Sequence, residues 1–245
     1  MSSTITIQQT ISNFVLPSIV QRPFTGIGGI ALEPGLTSAN YMMQSILQPP
    51  FRWEWNRNVI TGAITTVAGQ SDYPISIPTF GWLEKATLVD PTPYTNEPPN
   101  HELEIFEILG KDGQQNRPQK IALLQDNGTG TITFRLFPVP DKVYTIDLDL
   151  QNAPILATSL GATTWAPIPD KLAFLYERGM LAMAQMMYNQ QLGLSNLEVF
   201  FRQLVAAAAG LSEMEKAIFL EDELRPIRMR QNALQAAQQG KAARQ

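Results

Sequence analysis

Residues 117–151, RPQKIALLQDNGTGTITFRLFPVPDKVYTIDLDLQ, decide the fold class. Within them Ile132, Phe134 and Leu136 alternate with Thr131, Thr133 and Arg135, and Tyr144, Ile146, Leu148 and Leu150 alternate with Thr145, Asp147, Asp149 and Gln151. A period of two turns each apolar set to one face, so both stretches predict half-buried strands. Between KIALLQ and TITFRLF stand Asp126, Asn127, Gly128, Thr129 and Gly130, residues that tolerate positive φ, and the pair predicts a hairpin. The segments VITGAITTVAG and WLEKATLVD are also of β character, giving a β domain over residues 59–164. Inside it PTPYTNEPPNH, residues 91–101, reads as a proline-rich loop.

On either side the period changes to that of a helix. In LTSANYMMQSILQPP, residues 36–50, Leu36, Met43, Ile46 and Leu47 share a face, Thr37 or Ser38 can cap the exposed amides, and Pro49 and Pro50 stop the helix. From Ile168, Pro169 suits a first helical position with Asp170 beside it, and Leu172, Leu175, Tyr176, Gly179, Met183, Met186 and Met187 fall near one face. Ser195 and Glu198 form a capping-box pattern for a second helix with Leu197, Phe200, Phe201, Leu204, Val205 and Ala208 buried; Gly193 and Leu194 make the turn before it. Gly210 ends that helix, and Ser212 with Glu215 repeats the pattern for a third. Residues 1–36, with Pro17, Pro23, Pro34, Gly26, Gly28 and Gly29, show no sustained period and read as an extended arm. The expected fold class is α+β: a helical bundle (N-terminal helix plus C-terminal helices) with an inserted antiparallel β-sheet domain and extended N- and C-terminal arms. The expected domains are an arm at 1–36, a helical domain from 37–58 and 165–218, the β domain at 59–164, and a C-terminal arm at 219–245.

Composition removes several classes of function. At 245 residues and 44% hydrophobic the chain can bury a real core, while only 16% of it is charged. Low surface charge lowers the cost of burying a face against a neighbour, although a weakly charged monomer fits the same figures. Without cysteine there is no disulfide framework, thiolate nucleophile or cysteine metal site. The opening MSSTITIQQTISNF is not of signal-peptide type, and no apolar run reaches the length of about 20 residues that spans a bilayer. The expectation is a soluble protein made in the cytoplasm. A net charge of −4 and a pI near 5.1 argue against general affinity for nucleic acid.

The search for chemistry is nearly empty. His101, the only histidine, falls in the proline-rich loop without cysteine partners and reads as a solvated residue whose replacement by Ala should matter little. Asp147 with Asp149, and Glu102 with Glu104, project to one side of their strands and suit a cation or an acid–base pair; a polar sheet face is the plainer reading. Gly26, Gly28 and Gly29 lack the Lys-Ser/Thr of a phosphate loop. Phe51, Trp53 and Trp55 alternate with Arg52 and Glu54 as a partner anchor or, preferably, as core; Met180, Met183, Met186 and Met187 divide the same way between an adaptable interface and a helix core. No catalytic, cofactor-binding or metal site is assigned, and the chain is not expected to be an enzyme.

The order of RPQKIALLQDNGTGTITFRLFPVPDKVYTIDLDLQNAPIL and WAPIPDKLAFLYERGMLAMAQMMYN, preceded by ANYMMQSILQPPFRWEWNR, resembles the phage head-to-tail adaptor (tail tubular protein A-like) family over residues 37–58 and 117–190. The matching features are the Pro138–Pro140 turn after a strand, the alternating strand that follows, and Ile168-Pro169 opening a helix of small and apolar residues. The resemblance implies a structural virion protein in the head–tail neck, synthesised in the bacterial host cytoplasm. It would form a homo-oligomeric ring, commonly a dodecamer, under the portal and line the DNA channel. Its partners would be the portal protein, neighbouring copies and tail or nozzle proteins, with DNA only as a non-specific passenger, no membrane and no cofactor. A lumen with neutral to negative charge is expected, so that DNA slides. The residue 1–36 arm and the long loop depart from the pattern and leave open a stopper or tail-completion ring protein. A host- or carbohydrate-binding β module, touching its ligand through Tyr94 and the proline-rich loop, is the alternative from a different class. The family's C-terminal segment reaches into the portal, which here would be RPIRMRQNALQAAQQGKAARQ, residues 225–245, with Arg225, Ile227, Arg228, Met229, Arg230 and Leu234 as docking residues. Pro226 is expected to break the helix arriving there, the tail to be mobile by itself, and its deletion to leave a folded protein that no longer binds the portal.

Overall fold

Residues 3–19, 25–26, 29–30, 33–93, 96–107, 110 and 113–242 are described by a computed structural model. The chain divides into a helical unit, residues 1–55 with 154–245, and a β unit, residues 56–153.

The helical unit begins where an arm was expected. Thr6 caps α1 (Ile7–Thr10) through a capping box: Gln9 N donates to Thr6 Oγ1 at 3.1 Å and Thr6 N to Gln9 Oε1 at 2.8 Å. The chain continues through one π turn, Ile11–Val15, and one 3-10 turn, Leu16–Ser18. Ile7, Ile11 and Val15, four residues apart, lie on one helical face and are fully buried. Ile7 N donates to Thr163 O at 3.1 Å, Trp165 N to Ile5 O at 3.1 Å, and Trp165 Nε1 to Thr10 Oγ1 at 2.8 Å. Trp165 in turn stacks on Tyr176 at 4.5 Å. The N-terminal segment is therefore part of the core and not an arm; the prolines and glycines beyond Val15 hide a short apolar period ahead of them.

Two short strands, β1 (Thr25–Gly26) and β2 (Gly29–Ile30), pair antiparallel, and Gly28 lies outside the described residues. In α2 (Gly35–Leu47) Met43, Ile46 and Leu47 are buried as their spacing predicts. Neither Thr37 nor Ser38 caps it. The Glu33 carboxylate accepts from Thr37 N at 3.2 Å and Thr37 Oγ1 at 2.8 Å, and Ser38 Oγ donates back to Pro34 O at 2.9 Å. The helix ends before Pro49, with Gln48 extended. Phe51 and Trp53 then enter the core, where Trp53 Nε1 donates to Ile46 O at 2.7 Å, so their aromatic alternation is packing.

Three helices follow: α3 (Ala173–Met186), α4 (Gln190–Ala207) and α5 (Glu213–Ala242). The start of α4 is Asn189, whose side chain accepts from Leu192 N at 3.1 Å. Ser195 is one turn inside the helix and donates to Gln191 O at 3.0 Å. Gly193 makes no turn; it lets α4 pass the end of α3, since a Cβ there would lie 2.5 Å from Met186 N. The second capping box forms as expected, with Glu215 N donating to Ser212 Oγ at 3.2 Å and Ser212 N to Glu215 Oε2 at 2.9 Å. Pro226 does not break α5. An interior proline costs about 3 kcal/mol. Leu224 and Ile227 on either side of it are 3% and 6% exposed, and burying each contributes about 1.5–3 kcal/mol, enough to offset that cost.

The β unit holds β3 (Arg57–Thr65), β4 (Asp72–Ser76), β5 (Phe80–Val89), β6 (Asn100–Phe106), β7 (Lys120–Asp126), β8 (Thr131–Phe137) and β9 (Thr145–Asn152). They form one sheet in the order β3-β9-β5-β6-β7-β8-β4, curled so far that its two edges, β3 and β4, approach each other in a nearly closed barrel. Ile132, Phe134, Leu136, Tyr144, Ile146, Leu148 and Leu150 all point into its core. The β7–β8 hairpin is present, its turn held by Gly128 N on Asp126 Oδ1 at 2.8 Å and Thr129 N on Asn127 Oδ1 at 2.9 Å. Gly62, at φ +66°, bulges β3 and donates to Asp147 Oδ1 at 2.7 Å.

This overturns the expected fold class. The protein is a mixed α+β chain with a seven-stranded, nearly closed barrel-like sheet and five helices among the described residues; it is not a helical bundle with an inserted antiparallel sheet and two arms. β6 and β7 pair in parallel, joined by a crossover through residues 107–119. In β4 and β6 the alternation is short, Tyr73 and Ile75 in the one and Leu103 and Ile105 in the other. β4 contains Pro74, tolerated because the strand is at an edge, and Leu103 is the one fully covered apolar side chain of β6.

Candidate functional site

The acidic pairs are spent on joining strands. Arg57 pairs with Asp149 between β3 and β9, Lys85 with Glu102 at 3.0 Å between β5 and β6, and Lys120 with Glu104 at 3.8 Å between β7 and β6. With the Gly62 amide on Asp147, each acid has a partner across the sheet. Among the described residues no three of His, Cys, Asp and Glu could hold a metal ion, and no helix is long and apolar enough to cross a membrane.

His101 is in β6, not in a loop, and its Nε2 lies 2.9 Å from Pro118 O, a bond it makes as a donor. Burial, and then the nearby Arg117 guanidinium, push its pKa down. The same end of the sheet holds a charge network that the sequence did not reveal. Asp90, its side chain fully buried, pairs with Lys142 at 3.0 Å and accepts from Thr92 N at 2.9 Å. Burial opposes its charge, but the Thr92 amide and the Lys142 ammonium outweigh it and hold the carboxyl below the usual range. Arg117 binds Glu97 at 2.9 Å and Pro98 O at 2.7 Å. The Tyr144 hydroxyl donates to Asp141 at 2.6 Å, and burial, then that carboxylate, push the phenol up. The bonds of Arg117, Pro118 and Lys142 fasten the proline-rich segment to the connections ahead of β7 and β9. Tyr94 lies outside the described residues.

The remaining surface of interest is α5. Phe219, Leu220, Leu224, Ile227 and Leu234, spaced by three and four along much of their length, face the helical core. That pattern was legible in the sequence, but Pro226 led to its being divided. The six residues expected to dock therefore separate. Ile227 is buried and Leu234 packs on the core; Arg228 reaches Glu198 at 3.3 Å, beside the Arg202 pair at 2.8 Å. Those two arginines, Arg202 first, hold the Glu198 carboxyl below its ordinary range. Arg225, Met229 and Arg230 are exposed on the other side, and neither Arg225 nor Arg230 has an ion pair among the described residues. From Gln235 to Gln239 every side chain is exposed. Acids fill the first half of α5 and bases the second, an order that complements the helix dipole. Of the methionines, Met180 is buried, Met183 and Met186 pack on the core and Met187 is exposed.

A family model described as the SU10 adaptor protein matches residues 44–234. The chain belongs to the SU10 adaptor protein family. No curated protein matches it. The adaptor is thus a structural phage protein, acting with other head and tail proteins of the particle. The matched region takes in the last residues of α2, the whole β unit, α3, α4 and α5 through Leu234, and so includes all six candidate docking residues.

Proposed function

We propose that the adaptor forms a tail tubular protein A-like ring in the head–tail neck, under the portal and around the DNA channel, and that the C-terminal half of α5 docks on the portal protein. The observation that carries this reading is the end of α5: Arg225, Met229 and Arg230 face solvent and residues 235–239 are exposed among the described residues. Unpaired guanidinium groups beside an exposed thioether suit a partner surface with carboxylates and an apolar pocket. Tail or nozzle proteins would meet other faces of the ring, whose lumen is neutral to negative. Removal of residues 225–245 is too coarse a test, since it takes Ile227 and Leu234 from the core. Truncation after Leu234 combined with Arg225→Glu and Arg230→Glu leaves both in place. Native mass spectrometry with purified portal is expected to show a loaded ring for the wild type and bare portal for this variant. Loading with unchanged affinity would sink the docking role.

A further inference from the structure

The charges of α5 change sign at one point. Ahead of Leu224 stand Glu213, Glu215, Glu221, Asp222 and Glu223 with only Lys216 against them; after it stand Arg225, Arg228, Arg230 and Lys241 with no acid. Along the side facing away from the core, Met214, Ile218, Asp222, Arg225 and Met229 follow one another at intervals of four and three, a continuous stripe. Its three apolar members are 74%, 52% and 65% exposed in chain order. Asp222 and Arg225 occupy its centre, both exposed and neither in an ion pair among the described residues. Next to them, burial and then Asp222 push the Glu223 carboxyl up, as expected where acids crowd without a cation of their own.

We propose that this stripe binds α5 of a second copy of the chain, laid antiparallel across a two-fold axis that passes between Glu223 and Leu224. In that register Asp222 meets the second copy's Arg225 and Ile218 meets its Met229, each pair formed twice, with Met214 over Ala233 at both ends. Antiparallel pairing sets the acidic block of each helix against the basic block of the other. Parallel pairing would set like charges together, which is what selects the direction. Three large apolar side chains per copy make a small contact, so the pair forms and separates with concentration. It covers Arg225 and Met229, which the portal reading also uses, so one α5 serves one partner at a time. Asp222 and Ile218 belong to the pairing alone.

Sedimentation of the full-length adaptor over a range of concentrations should show self-association that Asp222→Arg and Arg225→Asp each weaken by about tenfold or more. The combined Asp222→Arg, Arg225→Asp chain should regain it, because the pair is then reversed in both copies. The register is read separately in the chain's cysteine-free background. A mixture of Ile218→Cys and Met229→Cys chains should be joined by a short bis-maleimide, while either alone is not, whatever larger assembly is present. The proposal is overturned if the combined variant associates no better than the single ones, or if cysteine at 218 links to itself as readily as to 229. Asp222→Arg should still load on portal, so loss of pairing and loss of portal docking are distinguishable.

Discussion

In the β unit the charges close on themselves: Asp72 is gripped by Arg135 at 2.7 and 2.9 Å, Asp90 by Lys142, Glu97 by Arg117, Glu102, Glu104 and Asp149 by bases on neighbouring strands, and Asp147 by the Gly62 amide. The helical unit buries an apolar core as well but leaves one helix, α5, with a block of bases and a block of acids largely turned outward. Charges that have found partners fasten a fold, whereas charges left in solvent beside exposed methionine are available to something else. The contrast is what supports the proposed contact surface on α5, and it gives the β unit's polar groups a structural role.

Removing residues 1–16 tests the helical side most severely. It takes Ile7, Ile11 and Val15 out of the core at about 1.5–3 kcal/mol each and strips Trp165 of its hydrogen bond, so loss of the cooperative thermal transition of the helical unit is expected by calorimetry. An unchanged transition would return this segment to the status of an arm. On the β side, Lys142→Met leaves the buried Asp90 carboxylate without its cation, and a loss on the order of 3 kcal/mol is expected in urea unfolding. Acid sensitivity should change with it. In the wild type the lowered Asp90 pKa contributes stability that is present above the ordinary carboxylate range and is lost as pH falls through the lowered value. Without Lys142 the Asp90 carboxyl is held down less, and acid unfolding should begin at higher pH.

His101→Gln is expected to be milder, about 1 kcal/mol at neutral pH for a disturbed hydrogen bond. Because the folded-state pKa of His101 is depressed below 6.5, protons favour the unfolded chain, so the wild type loses stability as pH falls from 6.5 towards the folded value. The variant should lack that slope in a pH series of melting temperatures. Smallest of all, Arg225→Ala should leave stability within about ±0.5 kcal/mol, as measured by the same melts, while weakening association with a partner. A clear loss of stability there would mean that the α5 charges serve the fold after all, and the contrast between the units would dissolve.

Residues 117–151 carried their own structure. The alternation of Ile132, Phe134 and Leu136, and of Tyr144 through Leu150, requires a buried face whatever the strands lie beside, and the Asp126–Gly130 run requires a turn. The buried stripe of α4 was equally local, although its cap was not: Ser195 and Asn189 both suit the role, and the close passage at Gly193 lets the helix start earlier. Within the candidate site, the docking residues followed from the family resemblance, and the sequence did not sort them into those facing the core and those facing solvent.

What the sequence by itself determined is therefore periodicity, hairpin and composition, because these depend on neighbours a few residues away. The tertiary structure alone decided that β6 lies parallel to β7, that the sheet nearly closes, that Pro226 stays inside a helix, and that the first residues belong to the core. Each of these depends on a contact between distant parts of the chain. Ser3 donates to Asp170 across 167 residues of sequence at 2.5 Å, and no local pattern encodes such a partner because its contribution exists only once the core has brought both ends together.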